Sequence, residues 1–273
     1  MPALNTISIE KLHRLIGTPQ APALIDVRTD EDYALAPALI PGSRRRTHSY
    51  VEGWAKELNG RGAIVICQQG LKLSQGVAAW LRHSGVEADS LEGGYESWAK
   101  ARLPLLKTGP MPKRDVAGRT VWVTRSRPKV DRIACPWLIR RFVDTDAVFL
   151  FVNPSDVGGV ADRFAATPFD VDGVFWSHRD GNCTFDVMLE EFGLDTEPLQ
   201  RLAAIVRGAD TSRMDLAAEA PGLLAVSLGL SRMYSDDLEQ LEAGMLLYDA
   251  LYRWCRDATG ETHDWHSAPK KKA

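Results

Sequence analysis

Residues 63–91 read AIVICQQGLKLSQGVAAWLRHSGVEADSL, and their order of apolar runs and helical spacing predicts the fold of the first half of the chain. Ala63 to Cys67 is a short apolar run that predicts a buried parallel strand, and Val86 to Leu91 is a weaker run of the same kind. Between them, Ser74 to Ser84 carries apolar residues at helical spacing, and Gly85 favours a helix end there. A strand, a helix and a strand in this order predict a parallel α/β sheet.

The chain divides around a segment rich in proline and glycine, from about 104 to 119. This segment lacks helical or strand periodicity and predicts a linker. Before it, Ala23 to Val27 predicts another buried strand. After it, Val121 to Thr124, Val148 to Val152 and Val174 to Ser177 are rich in β-branched and aromatic residues and predict strands.

The remainder of the second half carries helical patterns. Leu199 to Arg207 predicts a short helix that ends at Gly208, and Asp236 to Arg256 predicts a long one. The second half is therefore predicted to be mixed α/β and rich in helix toward its end. The expected boundaries are a first domain at 1–106, a linker at 107–119, a second domain at 120–258 and a disordered polar tail at 259–273.

Length and composition narrow the class of protein. At 273 residues, with 45% apolar and 25% charged residues, the chain predicts two packed cores and excludes wholesale disorder. Four widely spaced cysteines do not make a disulfide scaffold, so reduced thiols are expected. The N-terminus lacks the apolar run of a signal peptide, and no apolar stretch approaches the ~20 residues of a membrane span. We therefore expect a cytoplasmic protein without a membrane partner; its oligomeric state stays open.

Charge is unevenly distributed along the sequence. The net charge of −3 excludes a uniformly basic protein of the kind that coats nucleic acid. From Lys113 to Arg141, however, nine Lys or Arg residues stand against only Asp115 and Asp131. We call this segment the basic island. Such an island requires an anionic partner or many internal carboxylates. No helix-turn-helix or basic zipper pattern accompanies it, so a nucleic-acid partner is not expected.

The loop after the strand that ends near Cys67 is the first candidate site. In α/β sheets, ligands gather at the carboxyl ends of strands. A short loop that contains a glycine and leads into a helix can turn backbone N–H groups toward an anion and stabilise a thiolate. The alternative is an inert buried cysteine, since free cysteine is among the most buried residue types. The residues of this loop are Cys67, Gln68, Gln69, Gly70, Leu71 and Lys72.

Several further segments, together with this loop, resemble the rhodanese (sulfurtransferase) family in order and spacing over roughly residues 5 to 106. They are Asp26-Val27-Arg28, Ile40-Pro41-Gly42-Ser43, Leu91 to Tyr95, Trp98 and Leu103-Pro104. The resemblance implies a central parallel sheet, Cys67 as the nucleophile that carries a persulfide, and amides of residues 68–72 that hold the transferred sulfur. It also implies a small sulfur donor and a thiol acceptor as partners.

Loop length and composition qualify this resemblance. Related cysteine phosphatases have one residue more between the cysteine and the basic position, so the loop fits sulfur better than phosphate. Many active rhodaneses have arginine where Lys72 stands and serine where Leu73 stands. Because lysine lacks the planar bidentate grip of a guanidinium, thiosulfate binding is expected to be weak. A catalytically degenerate module that only binds partners is the alternative.

The basic island supplies a candidate anion site. A helix is predicted from about Asp131, with Asp131 and Cys135 on one face. Its N-terminus and the nearby Arg125 and Arg132 would suit a dianion. The alternative is a solvated basic face paired with neighbouring carboxylates.

A cluster of metal-ligand residue types follows. His178 is expected at the end of a strand, and a helix from about Thr184 would carry two carboxylates on one face. Their spacing matches no strict zinc signature, so an ordinary hydrogen-bonded histidine is the alternative to a divalent metal site. The candidate ligands are His178, Cys183, Asp186, Glu190 and Asp210. No cofactor follows with certainty.

The region from Trp122 to about Cys255 resembles the C-terminal domain of the chromate-resistance ChrB family. The matching segments include Asp131 to Phe142, Ser177 to Arg179, Cys183 to Asp186, Ile205 to Asp210, Ser227 to Arg232 and Leu241 to Tyr252. The resemblance implies a part in chromate resistance, with chromate or a related oxyanion as a partner. Some family members carry a different N-terminal region and regulate transcription. A non-catalytic chromate-responsive sensor is therefore the alternative to a sulfurtransferase.

Overall fold

A computed structural model describes residues 5–58 and 60–262 of the chain. The residues that follow, 263–273, include most of the predicted tail and lie outside the described residues. No helix in the described part is long and apolar enough to cross a membrane.

The first half is built on a parallel sheet of five strands in the order β1-β6-β5-β2-β4. Its strand and helix bounds are β1 Thr6–Ile7, α1 Ile9–Leu15, β2 Ala23–Asp26, α2 Asp30–Leu35, β3 Ala38–Leu39, β4 Ser43–Arg45, α3 Val51–Ala55, β5 Ala63–Ile66, α4 Lys72–His83, β6 Ala88–Leu91 and α5 Gly94–Lys100. The predicted parallel α/β architecture is confirmed. Because β2 and β5 are buried on both faces, they read as continuous apolar runs in the sequence.

The predicted linker begins with ordered structure. Strand β7, Leu106–Lys107, pairs antiparallel with β3 outside the main sheet. Leu106 is fully buried and belongs to a hydrophobic core that both halves share. A two-residue strand has too little periodicity to be recognised in a sequence, and its pairing with β3 holds the start of this segment against the first half.

The second half has a small parallel sheet of three strands in the order β10-β8-β9, and helices make up most of the rest. Its elements are β8 Val121–Arg125, α6 Asp131–Leu138, β9 Val148–Val152, α7 Val157–Phe164, β10 Thr167–Pro168, α8 Thr184–Phe192, α9 Glu197–Asp210, α10 Ala220–Met233 and α11 Asp237–Asp257. A π-helical turn, Ile139–Val143, continues α6. The expected mixed, helix-rich second half is therefore confirmed.

Two local predictions in this half are wrong. Val174 to Ser177 is not a strand, since only Trp176 forms an isolated bridge, with Phe169. The chain turns at Asp170 and Gly173, which both have positive φ, and the Asp170 N–H donates to the Trp176 carbonyl at 2.8 Å. Sheet pairing is thereby limited to a single bridge, and of the apolar residues in this segment only Trp176 is buried, whereas Phe175 is 56% exposed.

Gly208 is the second error, because α9 continues past it to Asp210. A Cβ atom at Gly208 would lie 2.8 Å from the Ala220 side chain and 3.0 Å from the Arg213 carbonyl oxygen. The glycine therefore permits close packing against the start of α10 and does not end the helix. This position brings Asp210, in the last turn of α9, to the candidate site described below.

Candidate functional site

Cys67 follows the buried strand β5 at the carboxyl edge of the first sheet. Its side chain is 4% exposed, and its carbonyl oxygen accepts a hydrogen bond from Tyr95 N–H at 3.0 Å. Three glycines with positive φ, Gly70, Gly93 and Gly94, let the Cys67 loop pack against the turn between β6 and α5. A Cβ atom at Gly94 would collide with the Cys67 carbonyl oxygen and the Gly70 nitrogen. The loop is therefore fixed by direct backbone packing.

Free backbone donors follow the cysteine. Within the described residues, no backbone N–H from Gln68 to Leu73 donates a hydrogen bond. The Cys67 thiol lies 3.1 Å from Ser74 Oγ and donates to it, and that hydroxyl donates to the Leu71 carbonyl at 3.2 Å. A thiol beside a hydroxyl, in a loop with free amides, has the groups that stabilise an anionic sulfur.

The other predicted loop residues differ in their placement. The side-chain amide of Gln68 donates to Glu96 Oε1 at 3.1 Å, whereas Gln69 and Leu71 are exposed. Lys72 is also exposed, at the first position of α4. Its position at the helix N-terminus keeps its charge close to the loop but open to water.

A buried ion pair missed by sequence reasoning lies at the end of β2. Arg28 Nη2 is 2.7 Å from Asp26 Oδ2, and both side chains are almost fully buried. The Arg28 guanidinium also lies 3.7 Å from the centre of the Tyr95 ring. A cavity of about 410 Å³ opens beside it, lined in part by Arg45, Arg46 and His48. Arg28 comes after β2, whereas the other three residues lie at or after the end of β4, so only the sheet order brings them to one edge.

In the second half, His178 stands among three carboxylates. Its Nε2 atom lies 3.5 Å from Asp131 Oδ2, 3.4 Å from Asp170 Oδ1 and 3.2 Å from Asp210 Oδ2. Hydrogen bonds to Asp170, which has the larger effect, and to Asp210 raise the pKa of His178 to about 10. We call these four residues the His178 cluster. Of the five predicted metal ligands, the structure brings His178 and Asp210 together here.

Asp131 is the most deeply buried member of this cluster. It is fully buried at the first position of α6. This burial and, to a smaller extent, the nearby charges of Asp210 and Asp170 raise the pKa of Asp131 well above the ordinary value. Its Oδ2 atom accepts the Thr184 N–H at 2.6 Å. Its Oδ1 atom is buried and has no hydrogen-bond partner within the described residues.

Asp170 connects the cluster to the basic island. Arg125 Nη2 and Arg132 Nε lie 3.2 and 3.3 Å from its Oδ2 atom, and Thr184 Oγ1 donates to its Oδ1 atom at 2.9 Å. Although burial opposes ionisation, hydrogen bonds from His178 and Thr184 and the two arginines hold the pKa of Asp170 below its ordinary value. Both predicted anion-binding arginines thus face a carboxylate of the chain itself.

Of the remaining predicted metal ligands, Cys183 borders the cluster through its contact with Asp131, and it and Asp186 also bond to each other. Asp186 Oδ2 accepts the Cys183 N–H at 3.0 Å and its thiol at 3.1 Å, so these two residues cap α8. Asp186 Oδ1 also pairs with Arg207 at 2.6 Å. Glu190 is exposed. Sequence reasoning missed Asp131 and Asp170 as members of the cluster. The position of Asp131 at the start of a predicted helix in the basic island could have indicated it. No local pattern indicates Asp170.

Other cations of the basic island also have internal partners. Arg127 donates to the carbonyl oxygens of Tyr234 and Ser231. Arg140 pairs with Glu242, and Arg141 makes a bidentate pair with Asp249 at 2.8 Å. Helix α11 supplies both of these carboxylates. Arg140 and Arg141 therefore attach the π-helical turn after α6 to α11, while Arg114, Arg119, Arg125 and Arg132 pair with other carboxylates of the chain.

Comparison with known proteins assigns both halves. Residues 8–101 match the rhodanese-like domain model, and residues 122–255 match the model described as ChrB, C-terminal domain. The chain is 40% identical over 149 residues to Protein ChrB of Cupriavidus metallidurans; the match covers 53% of this chain and 44% of that protein.

Solved structures match the first half. A rhodanese-related protein from Thermoplasma volcanium is 23% identical, with a TM-score of 0.33 over 38% of this chain and 98% of that one. A rhodanese-like domain protein from Staphylococcus aureus is 24% identical, with a TM-score of 0.30 over 35% of this chain and 91% of that one. By the two family models, the chain joins a rhodanese-like domain, residues 8–101, to a ChrB C-terminal domain, residues 122–255.

Proposed function

We propose that this protein is a sulfurtransferase that carries sulfane sulfur on Cys67 and acts in chromate resistance. The observation that supports it most is the Cys67 loop, in which a thiol at the end of a central strand is followed by six backbone N–H groups that donate to no other group of residues 5–58 and 60–262. The match of residues 122–255 to the ChrB C-terminal domain model, together with the 40% identity to Protein ChrB, supports the chromate part of the proposal.

The reaction would proceed in two displacements. The Cys67 thiolate attacks the outer sulfur of thiosulfate, a new S–S bond forms, and the S–S bond of the donor breaks to release sulfite. A nucleophilic acceptor, such as a thiolate or cyanide, then attacks the outer sulfur of the persulfide, and the bonding electrons return to Cys67. Free amides of residues 68–73 would hold the negative outer sulfur between the two steps.

Two side chains near the cysteine would assist this chemistry. Once the Cys67 proton has left, Ser74 Oγ, 3.1 Å away, can turn its hydroxyl from the Leu71 carbonyl to the sulfur. Lys72 would act as a point charge at the mouth of the loop. Since Lys72 is exposed to water, its charge is screened. We therefore expect thiosulfate to bind weakly even if the bound donor reacts readily with Cys67.

Cyanide-dependent sulfur transfer from thiosulfate tests the proposal. Wild-type protein should produce thiocyanate, whereas Cys67→Ser should lose this activity to the level of the uncatalysed reaction. Cys255→Ser is the matched control, because Cys255 is also a buried cysteine but lies in α11 of the other half. Equal, negligible rates in wild type and Cys67→Ser would overturn the sulfurtransferase proposal.

A binding function is the second candidate, and the 4% exposure of Cys67 favours it. In that case the first domain only docks to partners, and the second senses chromate. An oxyanion at Arg125 and Arg132 would have to displace Asp170, so the geometry supports this site less than the Cys67 loop. Calorimetric titration with chromate and with sulfate tests it: heat that is lost in Arg125→Ala supports the site, and absence of heat with wild type excludes it.

A further inference from the structure

In the His178 cluster, more carboxylate oxygens surround the histidine nitrogen than its single hydrogen can bond to. Three carboxylate oxygens, from Asp131, Asp170 and Asp210, lie 3.2 to 3.5 Å from His178 Nε2. Nε2 carries at most one hydrogen, which can point at only one of these oxygens. Carboxylates that share a site repel one another, and a divalent cation that displaced the proton from Nε2 would attract all three more strongly than the singly charged imidazolium does.

These separations agree with the dimensions of a bound metal ion. Nitrogen and oxygen ligands lie about 2.0 to 2.2 Å from a tetrahedral divalent ion, which puts any two of them about 3.4 Å apart. The distances from Nε2 to the three oxygens fall around this value. The ligand atoms of Asp131, Asp170 and His178 also lie within 4.8 Å of one another, whereas Asp210 lies outside this group of three and approaches it through His178.

A second observation comes from the carboxylate of Asp131. The residue is fully buried, and its Oδ1 atom has no hydrogen-bond partner in the described part of the chain. Its Oδ2 atom lies next to His178, so the carboxyl group faces the cluster. A buried, unpartnered carboxylate oxygen is costly unless it is paired or coordinates a metal.

Neighbouring groups hold the ligands in place. Arg125 and Arg132 contact Oδ2 of Asp170, which leaves its Oδ1 atom on the side of His178. Thr184 donates its backbone N–H to Asp131 and its hydroxyl to Asp170. Such outer contacts orient the ligands of metal sites. His178 is 44% exposed and Asp210 18%, so an ion can enter from their side.

We propose that Asp131, Asp170, His178 and Asp210 form a binding site for one first-row divalent cation, such as Zn²⁺ or Mn²⁺. One imidazole nitrogen with carboxylate oxygens suits these ions. Mg²⁺ should bind poorly, because it demands near-octahedral geometry and retains its water. The site lies in the second half and is independent of the sulfur chemistry proposed for Cys67.

Calorimetric titration of the full chain, after dialysis against a chelator, tests this site with Zn²⁺, Mn²⁺ and Mg²⁺ in turn. Wild type should bind one Zn²⁺ or Mn²⁺ per chain and unfold at a higher temperature with the ion present. His178→Gln and Asp210→Asn should each lower the affinity by at least about tenfold. Both residues are partly exposed, so these variants are expected to fold even if Asp131→Asn does not.

Glu190→Gln is the control, because Glu190 is an exposed acid of the same half outside the cluster. It should bind the ion as wild type does, and so should Cys67→Ser. Absence of binding by wild type would overturn the proposal. Wild-type affinity in His178→Gln and Asp210→Asn, or an equal loss in Glu190→Gln, would overturn it as well, since the ion would then lie elsewhere.

Discussion

Gly94 shows how a single residue controls the Cys67 loop. It has φ +60°, and an added Cβ atom would meet backbone atoms of Cys67, Gln68 and Gly70. Since backbone cannot yield as a flexible side chain can, Gly94→Ala is expected to displace the loop, to destabilise the protein by about 1–3 kcal/mol and to abolish sulfur transfer. Chemical denaturation and the thiosulfate assay measure the two effects.

Gly76 provides the matched control for that substitution. It lies within α4, and nothing lies within 4 Å of where its Cβ would be. Gly76→Ala should stabilise the protein by roughly 0.5–1 kcal/mol, because alanine loses less conformational freedom in a helix. Sulfur transfer should be unchanged. Wild-type activity in Gly94→Ala would contradict the role given to the loop backbone.

The strands and helices whose patterns are local could be predicted from the sequence. The runs at Ala63 and Ala23 are buried on both faces, and the helix after Cys67 has a single apolar face, so hydrophobic periodicity identifies them. The predicted strand at Val174 is wrong because turns at Asp170 and Gly173 limit its pairing to one bridge at Trp176, and composition alone does not reveal these turns.

The two candidate sites also differ in how well the sequence predicts them. The Cys67 loop is contiguous, so its residues could be found from one segment. The His178 cluster joins residues from 131 to 210, which come from α6, the turn after β10, the segment before α8 and the end of α9. No local spacing encodes that convergence, and the closeness of Cys183, Asp186 and Glu190 to His178 in sequence does not make them members of the cluster.

Packing between α9 and α10 provides a prediction at the scale of helices. A Cβ atom at Gly208 would lie 2.8 Å from the Ala220 side chain, whereas nothing lies within 4 Å of that position at Gly229 in α10. Gly208→Ala should therefore destabilise the protein by about 1–3 kcal/mol through overpacking. Gly229→Ala should stabilise it by roughly 0.5–1 kcal/mol. Thermal unfolding of both variants measures this difference, and equal shifts would contradict it.

At the scale of the whole molecule, the two halves share one hydrophobic core. Phe142 is 4% exposed and packs against Tyr252, and a Cβ atom at Gly17 would collide with its ring. The Phe142 carbonyl accepts the Gly42 N–H at 2.6 Å. Residues from both halves, including Trp98 and Leu194, belong to the same core. The two domains are therefore expected to unfold as one cooperative unit.

Removal of the Phe142 ring tests this coupling. Phe142→Ala should destabilise the protein by about 3–5 kcal/mol, because it leaves a cavity between the halves. Differential scanning calorimetry should show one transition in wild type and a lower or divided transition in the variant. Phe164→Ala is the control, since Phe164 is 64% exposed and should cost little. Two separate transitions in wild type would contradict the shared core.

The central claim is that Cys67 carries sulfane sulfur, and intact-protein mass spectrometry after brief incubation with thiosulfate tests it most directly. The protein should gain the mass of one sulfur atom, the gain should map to the peptide that contains Cys67, and cyanide should remove it. Cys67→Ser should show no gain, whereas Cys255→Ser should behave as wild type does. An unchanged mass in wild type, or the same gain in Cys67→Ser, would contradict the account.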